Sequence, residues 1–481
     1  MKYLKIIILF LFLPIFSFGQ DTTFIKSYGL SGYNYGEKII QTADQGYLIL
    51  GNKSGFIGNT DIYLIKTNYY GKLLWDKAYG GSEIDWAEDI KQTKDNGFII
   101  TGYISTPENN DYNILLLKTD SDGNMKWMKN YGGGNWDFGH SLVETADSGY
   151  IIAGETYSFG NGNNDAFILK ISKNGDSLWS KSYGGQNSDI TYDISICHDG
   201  NFILTGITNS FGKGMFDAYL LKIDQLGDTL WTRTYGDTLD DKAFSGIETS
   251  DYGIVFTGST MNFDANGQDG VIFKTDSLGN FLWERNIGGD NNEEFYEIIQ
   301  NYDDVLFIAG YTESYGYTGT KDFYMVKTDK DGWFKFGPTY GGDNTDYANT
   351  CIPTFDHGFA IVGTSKSMGL GSSNILLVKT DSVGTLNYSS FIHITAIDEH
   401  LKNQINIFPN PVMDKLNIIT DGENLIKEII VYNQTGQIIR KNIPVDDHSI
   451  NIDFTDLSEG LYFLSIQINN EKFYKKILHI K

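Results

Sequence analysis

Leu178-Trp179-Ser180-Lys181-Ser182-Tyr183-Gly184-Gly185 decides the fold, because versions of it return at an almost constant interval. The Tyr-Gly step stands at Tyr28, Tyr79, Tyr131, Tyr183, Tyr235 and Tyr340, with Ile287-Gly288 as the one substitution, so the copies lie 51, 52, 52, 52, 52 and 53 residues apart. Seven copies imply seven units, starting near 28, 79, 131, 183, 235, 287 and 340. In the third unit, Ser141 to Thr145 reads as a strand, Asp147-Ser148-Gly149 as a turn, and Tyr150 to Gly154 as a second strand. A Gly/Asn loop, a third strand from Ala166 to Ile171, a turn and a fourth strand from Leu178 to Tyr183 complete it. Four short strands per repeat with turn chemistry between each pair predict a propeller blade, since helical repeats carry a 3.6-residue period and fewer Gly and Pro breaks.

Several columns hold their phase through all seven units. Sixteen residues after the Tyr stand Asp44, Asp95, Asp147, Asp199, Asp251, Asp303 and Asp356, usually with a nearby Gly, which predicts an Asx turn whose glycine takes a positive φ. Seven residues later comes a glycine inside a strand, from Gly51 to Gly363, the mark of another backbone close by. The fourth-strand aromatic recurs as Trp75, Trp127, Trp179, Trp231 and Trp283, with Phe24, Phe336 and Tyr388 elsewhere, and reads as packing between blades rather than a ligand cage. Phe24 to Tyr28 is the tail of a unit whose beginning is missing. A closed ring must join its last blade to its first, so this segment is expected to add a strand to the blade built from residues 340 to 386.

The blocks Trp-x-Lys/Arg-x-Tyr-Gly-Gly, Gly-x-Thr and Asp-Ala-Phe-Ile-Leu-Lys resemble the bacterial seven-bladed β-propeller repeat of secreted and surface proteins over residues 21 to 390. That resemblance implies the fold and names no reaction. After Ser390 the beat stops, and 391–403 reads as a linker. Residues 404–481 alternate apolar and polar positions over six or seven short strands without a helix, which predicts a small Ig-like antiparallel β-sandwich. Phe408-Pro409-Asn410-Pro411, Val431-Tyr432-Asn433-Gln434-Thr435-Gly436, Leu457-Ser458-Glu459-Gly460-Leu461-Tyr462 and the basic end from Lys475 resemble, in order, the type A C-terminal sorting domain of the type IX secretion system. The resemblance implies recognition by that machinery at the outer membrane, with release or surface anchoring of the cargo.

The other end agrees. Lys2 and Lys5 precede an apolar run from Ile6 to Phe18, too short to span a bilayer comfortably, so residues 1–19 read as a signal peptide and the mature propeller as residues 20–390. No other segment has transmembrane length. The net charge of −24 excludes nucleic acid as a partner, which would need a basic surface. Cys197 and Cys351 fall at different phases of distant units and are expected as buried free thiols.

Chemistry is sparser. The seven His show no metal-ligand spacing, and no Gly-x-Ser-x-Gly elbow or phosphate-cradling loop appears, so no catalytic residue and no organic cofactor is assigned. One column could hold calcium: Asp85, Asp137, Asp189, Asp241, Glu293 and Asp346, with Asn34 in the first unit, six residues after the Tyr. The same column could instead accept backbone N–H groups at the start of each first strand, and identical placement in every unit favours that. Asp120-Ser121-Asp122-Gly123-Asn124 and Asp329-Lys330-Asp331-Gly332 echo part of a calcium loop but read as hairpin turns. Aromatics flank the column at Tyr35, Trp86, Phe138 and Tyr347, beside Trp136; exposed, they would stack on sugars, and buried, they would be core. The expected function is a secreted or surface binding module for a glycan or protein ligand. The alternatives are a glycan-active hydrolase or lyase, which needs paired carboxyls beside a group peculiar to one or two blades, and a structural surface component.

Overall fold

The computed structural model describes residues 23–386 except 30–31, 55–58, 107–110, 262–266, 302, 317–318, 370 and 383, and residues 405–479 except 409–411, 413, 421–424, 434–437, 459 and 469–470. The signal segment, the linker, Tyr388 and the Gln434-Thr435-Gly436 turn fall outside the described residues.

Every repeat folds into an antiparallel four-stranded sheet. Blade 3 runs Asp137–Glu144, Tyr150–Thr156, Asp165–Ile171 and Ser177–Tyr183 in spatial order. Each first strand touches the first strands of the blades on either side, and that of blade 7 (Asp346–Pro353) touches that of blade 1 (Asn34–Gln41), which closes a ring around an axis lined by first strands. The second and third strands are covered by neighbouring sheets on both faces and are buried almost throughout, which is why they read as unbroken apolar runs. The outermost strands alternate between exposed and half-buried residues. In blade 6 the outer strand is split into Phe334–Phe336 and Thr339–Tyr340, with Pro338, which has no N–H to give the ladder, at the break.

The seam closes as expected. Phe24–Tyr28 pairs antiparallel with Asn374–Thr380, from Phe24 opposite Lys379 to Tyr28 opposite Ile375, and completes blade 7.

All seven first strands carry a β-bulge at the same place, between Gly36 and Lys38, Ala87 and Asp89, Gly139 and Ser141, and their counterparts. The bulge explains the in-strand glycine. It pushes the first strand's backbone against the second, so that a Cβ on Gly154 would stand 1.9 Å from the Phe138 carbonyl oxygen. The Asx turns differ in one respect from expectation. Asp147 Oδ1 accepts the Gly149 N–H at 3.0 Å, but the residue at positive φ is Ser148 (62°), as are Gln45, Asn96, Tyr252, Asp304 and His357 in their units, while in the fourth unit a glycine, Gly200 (81°), takes the position as expected. Small polar residues and even Tyr occupy the left-handed position, while the glycine follows because a side chain there would strike the Ile171 carbonyl. A third-strand Lys lies under six of these turns and pairs with the Asp, as Lys66 with Asp44 at 2.8 Å, Lys170 with Asp147 at 2.9 Å and Lys379 with Asp356 at 2.9 Å. Asp120 and Asp329 likewise cap their own turns through backbone N–H groups.

The fourth-strand aromatics join blades at the outer rim. Trp75 packs on Gly123 of the next blade, Trp179 on Gly227 and Trp231 on Gly279, each half-buried. Beside them the Tyr of the repeat donates its hydroxyl to the carbonyl of the same turn glycine, as Tyr28 to Gly71 at 2.7 Å and Tyr183 to Gly227 at 2.6 Å. Ile287 cannot make this bond, and at that interface Arg285 lies between the rings of Trp283 (4.8 Å) and Trp333 (4.1 Å). Both cysteines are free and buried, and burial pushes the Cys197 thiol up to about 12.

The C-terminal part consists of two antiparallel sheets. One is ordered Ile405–Phe408, Lys415–Thr420, Ser449–Asp453, and the other Ile438–Asp447, Ile426–Asn433, Gly460–Ile468, Glu471–His479. Leu416, Ile418, Val431, Leu464 and Phe454 share one buried core drawn from both sheets, so this is the two-layer sandwich read from the alternation.

Candidate functional site

The acidic column lies at the first residue of each first strand, four residues earlier than the strand start read in the third unit. Asp85, Asp137, Asp189, Asp241, Glu293 and Asp346 are all 3 % exposed or less. Each carboxylate accepts a backbone N–H from the loop before it: Gly81 to Asp85 (2.8 Å), Gly133 to Asp137 (2.7 Å), Gly185 to Asp189 (2.8 Å), Asp237 to Asp241 (2.8 Å), Gly289 to Glu293 (2.8 Å) and Gly342 to Asp346 (3.0 Å). Four of them also receive a threonine hydroxyl from the second strand: Thr156 on Asp137, Thr208 on Asp189, Thr260 on Asp241 and Thr312 on Glu293. Asp85 departs from the set. Ile104 stands opposite it, its Oδ1 has no partner, and burial, with Asp61 and Glu83 nearby, pushes its carboxyl up to about 6.

A different part of the same strands lines the channel. Because the bulge turns two consecutive residues inward, each blade offers a residue nine after the Tyr and the one following it. The first tier is Glu37, Glu88, His140, Tyr192, Phe244, Tyr296 and Asn349, and the second runs from Lys38 through Asp89, Ser141, Asp193, Ser245 and Glu297 to Thr350. Most of them border a cavity of about 170 Å³. The scaffold is sevenfold, and the chemistry is not.

The second tier satisfies itself. Lys38 reaches across from blade 1 to pair with Glu297 of blade 6, and Lys91 pairs with Asp89 at 2.9 Å. Asp89 accepts the Leu142 N–H at 3.0 Å and Asp193 the Gly246 N–H at 3.1 Å, with the Ser141 hydroxyl between the two carboxylates at 3.1 and 3.0 Å. Burial acts against the Asp89 anion, yet Lys91 and Lys38 outweigh it and hold this carboxyl below its ordinary value.

The first tier is divided. On one side stand Glu37 and Glu88. Burial and the neighbouring Glu88 push the Glu37 carboxyl up to about 8, although Asn52 and Asn349 donate to it at 3.1 and 3.0 Å. Burial raises Glu88 as well, while the Trp86 indole N–H donates to it. On the other side the rings of His140, Tyr192, Phe244 and Tyr296 follow one another at 5.5, 5.2 and 5.5 Å between centroids. Burial disfavours the charged imidazole of His140, but Glu155, 3.6 Å from Nε2, and Glu88 outweigh it and raise its value.

The flanking aromatics of the sequence reading are half-buried and form a rim on this tier. Tyr33, Tyr35, Trp86, Tyr103 and Phe138 make a continuous series at 6.4, 5.2, 6.3 and 5.0 Å, carried on through Tyr112 and Trp136 to Tyr157. Tyr33, Trp136 and Tyr157 are 40 to 49 % exposed. Tyr347 is half-buried in the same tier of blade 7. The series joins the channel directly, since Phe138 stacks on His140 at 6.4 Å and 11°.

Sequence reasoning missed the divided tier because it followed columns that agree. The signal was the opposite one: the column nine residues after the Tyr holds five residue types in seven units, in a repeat whose Asp and Gly columns scarcely vary.

Residues 406–481 match the secretion system C-terminal sorting domain. Two curated proteins are similar at 23 % identity: the regulatory protein FlaEY of Caulobacter vibrioides over 195 residues, 34 % of this chain, and an uncharacterized WD repeat-containing protein of Acanthamoeba polyphaga mimivirus over 358 residues, 62 % of this chain. The matches span 20 % and 23 % of those proteins' own lengths, about a fifth in each case. Among solved structures, the Pan2 WD40 domain of Neurospora crassa aligns with a TM-score of 0.47 at 9 % identity, covering 73 % of this chain and 91 % of that one. The β-propeller domain of the Trilobed protease from Pyrococcus furiosus aligns with 0.43 at 9 %, covering 76 % and 99 %. Among the described residues no helix is long and apolar enough to cross a membrane. The chain is a β-propeller protein that carries a type IX secretion C-terminal sorting domain, which directs it to the cell surface or into the medium.

Proposed function

We propose that this exported propeller is a recognition module that binds a glycan where the aromatic rim meets the channel. The observation that carries the reading is the unbroken series of ring contacts from Tyr33 to Tyr157, half-exposed at one channel mouth and seated on a tier of hydrogen-bonding groups. Flat rings take the apolar faces of pyranoses, and carboxylates and amides beneath them take the hydroxyls. Titration calorimetry of the full chain with β-1,4-linked tetramers of glucose, N-acetylglucosamine and glucosamine tests it. At least one tetramer binds, and Trp86→Ala weakens that binding about tenfold, the loss expected for one stacked ring. Absence of binding to all three, or binding that Trp86→Ala leaves untouched, refutes the reading.

One observation favours the hydrolase alternative. Glu37, held protonated up to about 8, beside Glu88 has the chemistry of an acid and its partner. Shorter oligomers released in the same titrations would move the function from binding to cleavage.

A further inference from the structure

The first tier of the channel puts aromatic rings and two carboxyls around one cavity, and this arrangement selects for positive charge. The rings of His140, Tyr192, Phe244 and Tyr296, from four consecutive blades of the seven, line the cavity together with Glu37 and Glu88 of blades 1 and 2. A π face attracts a cation through its quadrupole, and a carboxylate accepts its N–H groups. The chain's own cations do not meet this demand. Lys38 turns to Glu297 in the tier below, and Lys91 to Asp89. His140 is the single basic group in the upper tier and already faces Glu88 and Glu155. Glu37 has only the neutral amides of Asn52 and Asn349 as donors. Among the described residues, the two neighbouring carboxyls therefore lie buried without a direct ion pair to a lysine or arginine: Lys38 acts on both through its charge but is bonded to Glu297, and the one imidazole faces Glu88 alone of the two.

We infer that the channel tier beneath the aromatic rim takes the ammonium group of an amino sugar, so that the preferred glycan carries free amines. The inference rests on the glycan reading above and adds the chemical class. A sugar ring stacked on the face of Trp86 comes next to Glu88, because the indole N–H of Trp86 donates to that carboxylate at the edge of the ring. An equatorial ammonium directed into the cavity would give its three N–H donors to Glu88 and Glu37 and place its charge against the Tyr192 and Tyr296 rings. N-acetylation removes that charge and adds bulk to a cavity of about 170 Å³.

The same three tetramers separate the two claims. The glucosamine tetramer is expected to bind the full chain at least about tenfold tighter than the glucose tetramer, with the N-acetylated one no better than glucose, as befits charge-assisted bonds to a carboxylate. In Glu88→Gln, an isosteric change that keeps the Trp86 contact, the preference should fall to about threefold or less while binding of the glucose tetramer stays. Equal binding of all three tetramers overturns the amine inference and leaves the glycan reading standing; no binding of any overturns both. A preference that survives intact in Glu88→Gln belongs to the diffuse attraction of a chain of net charge −24 and also overturns the inference. Should Glu88→Gln fail to fold, Tyr192→Leu, which removes one ring from the cavity lining, is the second variant, with the same expected loss of preference and the same overturning result.

Discussion

Replacing Ile104 by threonine should repair a defect that distinguishes blade 2 from its neighbours. In blades 3 to 6 the residue opposite the first-strand carboxylate is Thr156, Thr208, Thr260 or Thr312, each bonded to it. In blade 2 that place is Ile104, and Asp85 Oδ1 is buried without a partner. A hydrogen bond to a charged group contributes about 1.5–3 kcal/mol. Against this, Ile104 is only partly buried, and trimming it to threonine costs about 1 kcal/mol of apolar contact. The net gain near pH 7 is therefore about 1 kcal/mol.

The pH dependence makes the argument specific. Burial raises the Asp85 carboxyl from an ordinary 3.8 to about 6, so the folded chain holds this proton more tightly than the unfolded one. Its favourable contribution is present in acid and is lost as pH rises from about 4 through about 6. The largest loss such a rise could produce is about 3 kcal/mol, and water at the loop rim reduces it to about 1–2. A threonine hydroxyl that stabilises the anion lowers the carboxyl and flattens this decline. Urea unfolding of both chains at pH 4.5 and 7.5 measures it: the variant should gain clearly more at 7.5. An equal gain at both values, or a loss at 7.5, would refute the account.

Two further outcomes follow from the blade interfaces. Ile287→Tyr should supply the missing hydroxyl bond to the Gly332 turn, as Tyr235 does for Gly279 at 2.7 Å, and raise the thermal midpoint by about 1–3 °C in a calorimetric scan. Gly154→Ala should cost about 3 kcal/mol or more in urea, since its Cβ would meet the Phe138 carbonyl at 1.9 Å, whereas Gly134→Ala, with nothing within 4 Å, should change stability by less than about 0.5 kcal/mol.

The architecture was legible in the sequence because each blade repeats the same backbone problem. The Tyr hydroxyl, the fourth-strand aromatic and the in-strand glycine answer geometric needs that return from blade to blade, with Ile287 the one exception to the Tyr, so they recur in phase and can be counted. The seam was legible for the same reason, Phe24 to Tyr28 being a recognisable fragment of a unit. Two details were not. The left-handed residue of the Asx turn is Ser148 rather than Gly149, because the glycine is demanded by a carbonyl from a different strand, which the local sequence does not reveal. The channel tier was hidden by the bulge. One extra residue brings both His140 and Ser141 toward the axis, where strict alternation would have sent one of them into the blade, and the strand start at Asp137 lies four residues before the point where apolar alternation becomes visible. Groups such as Glu37 and Glu88 are remote in sequence and meet only when the ring closes.

The clasp between Phe24–Tyr28 and Asn374–Thr380 also sets a timetable. Its two halves are separated by some 350 residues, so the ring stays open while blades 1 to 6 are being synthesised, and the pairing waits on a loop whose closure costs about 5 kcal/mol of chain entropy. Only when residue 380 has emerged can the propeller lock, and the sorting domain begins 26 residues later, at 406. Whatever reads that domain therefore meets a cargo that already possesses every part needed to shut its ring.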